Sequence, residues 1–140
     1  MGMRAQRRSR RRAACATYLL PQAETSARWA RHLTTTFLTR GCGEKVSGDQ
    51  VEDAALVVSE LVTNATRHGH GSCRLRLCVD PGLVTVEVED ASPIPPRLCS
   101  PLETDECGRG IVMVRELSQH FTVRGGPGGG KTVQAVLAAS

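Results

Sequence analysis

The chain has 140 residues, of which 40% are hydrophobic and 3% aromatic, and carries a formal charge of +4 at neutral pH. That length holds one core but not two, and so few rings exclude a stacking platform for nucleobases and leave the core to Val, Leu, Ile and Ala. The charge does not mark a nucleic-acid-binding domain: six of the eighteen Lys and Arg residues are Arg4, Arg7, Arg8, Arg10, Arg11 and Arg12, and without them twelve basic residues face fourteen acidic ones, a balance of −2.

Residues 1–14 therefore read as a disordered, solvated Arg-rich arm ahead of a domain over 15–140. An electrostatic contact of the arm with nucleic acid or an acidic protein, or a start codon placed too far upstream, are the other readings. The short apolar run from Ala13 to Leu20 is too brief for a leader or a membrane span, so the expected compartment is the cytoplasm. The six cysteines show no Cys-x-x-Cys spacing and no His at ligand spacing, which argues against a thiolate metal site and for free, mostly buried thiols.

Thr17 to Leu20 reads as a strand, and Glu24 to Phe37 as a helix with Ala27, Ala30, Leu33 and Phe37 on one face, stopped by Gly41 and Gly43. Ser47 or Asp49 caps a second helix that runs to about His68. Cys73–Val79 and Leu83–Val88 alternate around Asp80-Pro81-Gly82 and form an antiparallel hairpin. The proline-rich stretch from Ala91 to Cys107 is a long irregular loop. A third helix covers Gly110 to Leu117, and Phe121–Val123 and Thr132–Leu137 close a second hairpin around a glycine-rich turn. This order implies an α+β sandwich, with helices on one face of a mostly antiparallel sheet.

On the second helix Val51, Ala55, Val58, Val62 and Ala65 share one stripe, while Glu60, Asn64 and Arg67 point the other way. Leu56, Val57 and Leu61 flank this polar trio, as expected if it faces a cleft. A carboxamide one turn from a carboxylate suits a hard cation beside a general base; a surface glutamate with a local Asn hydrogen bond is the plainer alternative. Asp90 ends a strand, where it either caps the turn or accepts a hydrogen bond from a base amine. Gly108-Arg109-Gly110 opens the third helix, as a flexible entry or as a place where backbone N–H groups approach phosphate. Lys131-Thr132 after three glycines is not a phosphate loop, because the residues after it read as a strand and not as a helix. His68 and His70 have no third ligand at metal spacing.

Four blocks together resemble the GHKL superfamily of gyrase, histidine kinase and MutL. Glu60-Leu61-Val62-Thr63-Asn64-Ala65-Thr66-Arg67-His68-Gly69 looks like its asparagine box, Asp90-Ala91-Ser92-Pro93 like its first glycine box in the form found in small actinobacterial members, Gly108-Arg109-Gly110-Ile111-Val112-Met113-Val114 like its second, and Gly130-Lys131-Thr132-Val133 like its late strand. The resemblance covers about residues 15–137 and is nearest to the bacterial anti-sigma-factor serine/threonine kinases. It implies a Bergerat-type fold binding ATP and Mg2+, with Glu60 as general base, Asn64 as the metal ligand, and Asp90, Ser92 and Thr132 on the adenine side. Gly108 and Gly110 would belong to a lid over the phosphates, with Arg109 as a phosphate contact. The implied partners are an anti-anti-sigma factor of STAS type and a sigma factor, with homodimerisation open; a module that sequesters its partner without catalysis is the alternative. Ser92 in place of a common glycine, Gln134 in place of an aromatic residue and Phe121 in place of a frequent Trp depart from the pattern.

Overall fold

The computed structural model describes residues 14–68, 71–92, 109–126 and 128–138. Most of the Arg-rich arm, the 93–107 loop, Gly108, His70, Cys99 and Cys107, and the side chains of His68 and Arg109, lie outside the described residues.

Five strands, β1 (Ala14–Leu20), β2 (Cys73–Asp80), β3 (Leu83–Asp90), β4 (His120–Gly125) and β5 (Lys131–Ala138), form one sheet in the order β1-β2-β3-β5-β4. Every neighbouring pair is antiparallel. The helices are α1 (Ser26–Thr36), α2 (Gly48–His68) and α3 (Arg109–Leu117), with a π-helical turn over Phe37–Gly41 that carries α1 past its expected end. The expected α+β sandwich is the fold the chain forms. The β2–β3 hairpin turns where Gly82 adopts φ +91°, a conformation that favours glycine. Ser47, not Asp49, caps α2: its Oγ accepts the Gln50 N–H at 3.2 Å.

Strand alternation explains the core. Leu75, Leu77 and Val79 of β2, Val84, Val86 and Val88 of β3, and Val133, Ala135 and Leu137 of β5 all point to one side and are buried there under α2. Each contributes about 1.5–3 kcal/mol if a Val or Leu. The α2 stripe is wider than the helical wheel indicates. Val57 and Leu61, expected on the perimeter of a cleft, are buried, because α1 and α3 pack on the helix as well as the sheet beneath it. Only Leu56 of that flanking set stays half-buried.

The opposite face of the sheet carries Arg74 and Arg76 of β2, Glu87 and Glu89 of β3, and Thr132 and Gln134 of β5, adjacent in register. Arg74 meets Glu89 at 3.3 Å, and Gln134 Nε2 donates to Glu87 at 2.6 Å. On the same face Cys15 and Cys78 are register partners with Cα atoms 4.1 Å apart and form a disulfide. The expectation of free cysteines is thus corrected for this pair, since the β1–β2 register sets two residues far apart in sequence directly opposite each other; Cys42 and Cys73 are free and buried. Among the described residues no helix is long and apolar enough to cross a membrane.

Candidate functional site

Two clusters bring expected site residues together. The first joins α2 to α3. Gly110, in the first turn of α3, lies directly against the Glu60 side chain: a Cβ added there would collide with the carboxylate and stand 2.7 Å from its carboxyl carbon. A residue without a side chain is therefore what lets Glu60 lie at the start of α3, where backbone N–H groups lack helical partners and favour a negative charge. Asn64 follows one turn along α2 and is half-buried. Arg67 is exposed and lines, with Gln22, Glu24, Thr63 and Thr66, a separate groove between α2 and the segment before α1.

The second cluster lies where β3 ends and β5 begins. Asp90 and Lys131 are register partners with 2% of each side chain exposed, and Lys131 Nζ stands 2.9 Å from Oδ2 and 3.1 Å from Oδ1 of Asp90. Oδ1 also accepts the Ser92 backbone N–H at 2.7 Å, so Asp90 does cap its turn. Ser92 is fully buried. Gly130 lets the strands approach this closely, since any Cβ on it would collide with the Asp90 carbonyl oxygen. Cys73 opens β2 nearby; burial, and after it the negative charge of Asp90, push its thiol up to about 11. A groove of about 360 Å³ opens here at the sheet end, lined by Asp90, Lys131, Cys73, Ser72, Ala91 and the glycine-rich turn together with Leu19, Arg74 and Glu89 from the outer face.

Thr132 does not join this set. Strand alternation turns it to the outer face, where it lines a small cleft with Arg74, Glu87, Glu89 and Arg124. The residue beside Asp90 is Lys131, whose buried place there sequence reasoning missed. Its signal was present: Lys131 has the same parity as Val133, Ala135 and Leu137, the inward-facing positions of β5. Arg109 begins α3. Among the described residues no group of three or more His, Cys, Asp or Glu side chains could hold a metal ion.

The sequence profile of the histidine kinase-like ATPase domain matches residues 20–137. The chain belongs to the histidine kinase-like ATPase family. No curated protein sequence matches it. Two solved structures resemble this ATPase domain in fold. The crystal structure of the RsbU and RsbW domains of Rv1364c from Mycobacterium tuberculosis superposes with a TM-score of 0.66 at 19% identity, covering 88% of this chain and 31% of that one. The chain thus spans about a third of that protein's crystallised length. The SiaB–SiaC complex from Pseudomonas aeruginosa gives a TM-score of 0.56 at 14% identity, covering 99% of this chain and 98% of that one. Membership in an ATPase family implies ATP as the ligand of this domain.

Proposed function

We propose that the protein is an Mg-ATP-dependent serine/threonine protein kinase acting as a regulatory switch. Its substrate is a serine of an anti-anti-sigma partner of STAS type, and a sigma factor is its second partner. The observation that carries this reading is the contact of Glu60 with Gly110, within a chain of the histidine kinase-like ATPase family. A carboxylate held at a helix start, one turn from a carboxamide, is suited to take a proton from a serine hydroxyl.

The residues fit a nucleotide in two respects. Gly110 lets the Glu60 carboxylate lie against the start of α3, where any side chain would displace it, and the groove at Asp90 offers buried polar groups in a volume within the range of ligand pockets, about 300–1,000 Å³. Bound ATP would supply the phosphoryl group. Asn64 would hold Mg2+ through its amide oxygen, a hard donor suited to this ion, which would offset charge on the phosphates. Gly108 and Gly110 would belong to the phosphate lid, with Arg109 as a phosphate contact, and Asp90 and Ser92 to the adenine side. The likeness to a chain solved as part of a complex, SiaB–SiaC, fits a protein that works by docking a partner.

One observation favours the second reading, a module that sequesters its partner without phosphoryl transfer: Asp90 already holds the Lys131 ammonium and the Ser92 N–H. Calorimetry separates the kinase from the nucleotide-free form of that module, and transfer of phosphate to a partner serine separates it from a form that binds ATP without catalysis. The kinase reading expects ATP to bind in the presence of Mg2+ and binding to weaken at least tenfold in Asn64→Ala and Asp90→Asn. Absence of ATP binding by the folded wild type rejects it and leaves the sequestering module.

A further inference from the structure

Of the ion pairs among the described residues, Asp90–Lys131 is the one withdrawn from water. Burying two charges costs several kcal/mol of hydration per ion, and well-packed apolar residues of similar size serve stability as well or better. What the pair supplies that Val or Leu cannot is a polar edge lining a groove.

Counting lone pairs and protons defines that edge. A carboxylate offers about four acceptor positions and an ammonium three donors. Oδ1 of Asp90 accepts from Ser92 and from Lys131, which fills it; Oδ2 accepts from Lys131 and keeps one position. Lys131, directed at both oxygens, keeps one N–H. The pair therefore presents one acceptor beside one donor, about a hydrogen-bond length apart. The matching ligand edge has a donor beside an acceptor. Adenine has this edge in its exocyclic N6 amine and adjacent ring N1. Guanine carries the same two kinds of group in the reverse order, the O6 acceptor where adenine has its amine and the N1–H donor where adenine has its acceptor, so in the same pose O6 would face the Asp90 carboxylate and N1–H the Lys131 ammonium.

We infer that Lys131 is a specificity-determining residue of the nucleotide site, donating to N1 of adenine while Asp90 accepts from the N6 amine. The inference rests on the ATP-binding reading above and adds to it the second half of base recognition. Gly130 positions the residue, because its bare α-carbon lets the start of β5 close on the Asp90 carbonyl oxygen. Thr132, on the outer face, takes no part.

The test uses the whole chain and two nucleotides in calorimetry: Mg-ATP, and Mg-1-deaza-ATP, in which a C–H replaces N1 and the amine is kept. Wild type should bind ATP at least about tenfold more tightly than the 1-deaza compound, the scale of one hydrogen bond from a charged donor. In Lys131→Met the difference should shrink to within about twofold, through loss of ATP affinity, with GTP discrimination reduced. Circular dichroism checks that the variant is folded; the wild-type comparison stands without it. Equal affinity of wild type for ATP and 1-deaza-ATP would overturn the inference and leave the ATP site intact. Tighter ATP binding by Lys131→Met would also overturn it, by showing that the lysine obstructs the base. Failure of folded wild type to bind either nucleotide would remove the inference and the ATP reading together.

Discussion

Removing either member of the Asp90–Lys131 pair should cost far more than removing both. With 2% of each side chain exposed, Lys131→Met leaves a carboxylate with no cation beside it, and Asp90→Asn leaves an ammonium with no anion. Stranding one buried charge typically costs about 3–5 kcal/mol, whereas replacing a buried pair by neutral groups is often close to neutral. The double variant should therefore lie within about 1 kcal/mol of wild type, since the carboxamide put in place of the Asp90 carboxylate would keep an oxygen for the Ser92 N–H. At about 2.1 cal/mol/K per residue, 140 residues unfold with roughly 0.3 kcal/mol/K, so each single variant should lose about 10–17 °C in Tm. Urea denaturation and thermal melts of the four proteins complete a double-mutant cycle, with an expected coupling above about 3 kcal/mol. Single variants that each cost less than about 1 kcal/mol and add up in the double would refute the reasoning, because the pair would then behave as exposed charges do.

Three further outcomes rest on named contacts. The Cys15–Cys78 bond closes a loop at a sequence separation of 63, for which the chain-entropy account gives about 4 kcal/mol, so reduction or Cys78→Ser should lower Tm by up to about 15 °C; alkylation of all six thiols in the unreduced protein, read by mass spectrometry, would count against it. Gly110→Ala should keep or slightly raise Tm, since Ala favours a helix over Gly by about 1 kcal/mol, yet reduce phosphorylation of a partner serine more than tenfold by displacing Glu60; unchanged transfer would separate Glu60 from catalysis. The Cys73 thiol titrates at about 11 in the folded protein against 9.0 for the free group, so the folded form holds this proton more tightly. Its contribution is full below pH 9 and declines at about 1.4 kcal/mol per pH unit up to about 11; the part of the alkaline loss due to this group should vanish in Cys73→Ala.

The elements that could be read from sequence are those whose signal is local. The period of 3.6 over Gly48–His68 and the Asp80-Pro81-Gly82 turn place α2 and the β2–β3 hairpin within a residue or two of where they lie. The features that could not be read depend on register between distant strands. Cys15 and Cys78 become neighbours only when β1 pairs with β2, and spacing tests for metal ligands are blind to such a pair. Lys131 is the instructive miss: an isolated Lys-Thr invites comparison with a phosphate loop, while the alternation of β5 already assigns the lysine inward and the threonine outward. Burial of Val57 and Leu61 is hidden for a related reason, because a helical wheel shows a face but not how many neighbours the helix acquires.

The chain has a single tryptophan, and it is exposed: Trp29 stands on α1 with 59% of its surface in solvent and His32 edge-on at a ring separation of 6.1 Å. Most tryptophan reporters brighten or shift because unfolding carries the indole from core to water; this one begins in water. Intrinsic emission is consequently a poor gauge of whether the protein is folded, and a melt followed by it alone would look flat. The same placement makes the indole a built-in probe of the α1 surface, silent through denaturation and responsive when another molecule covers that helix.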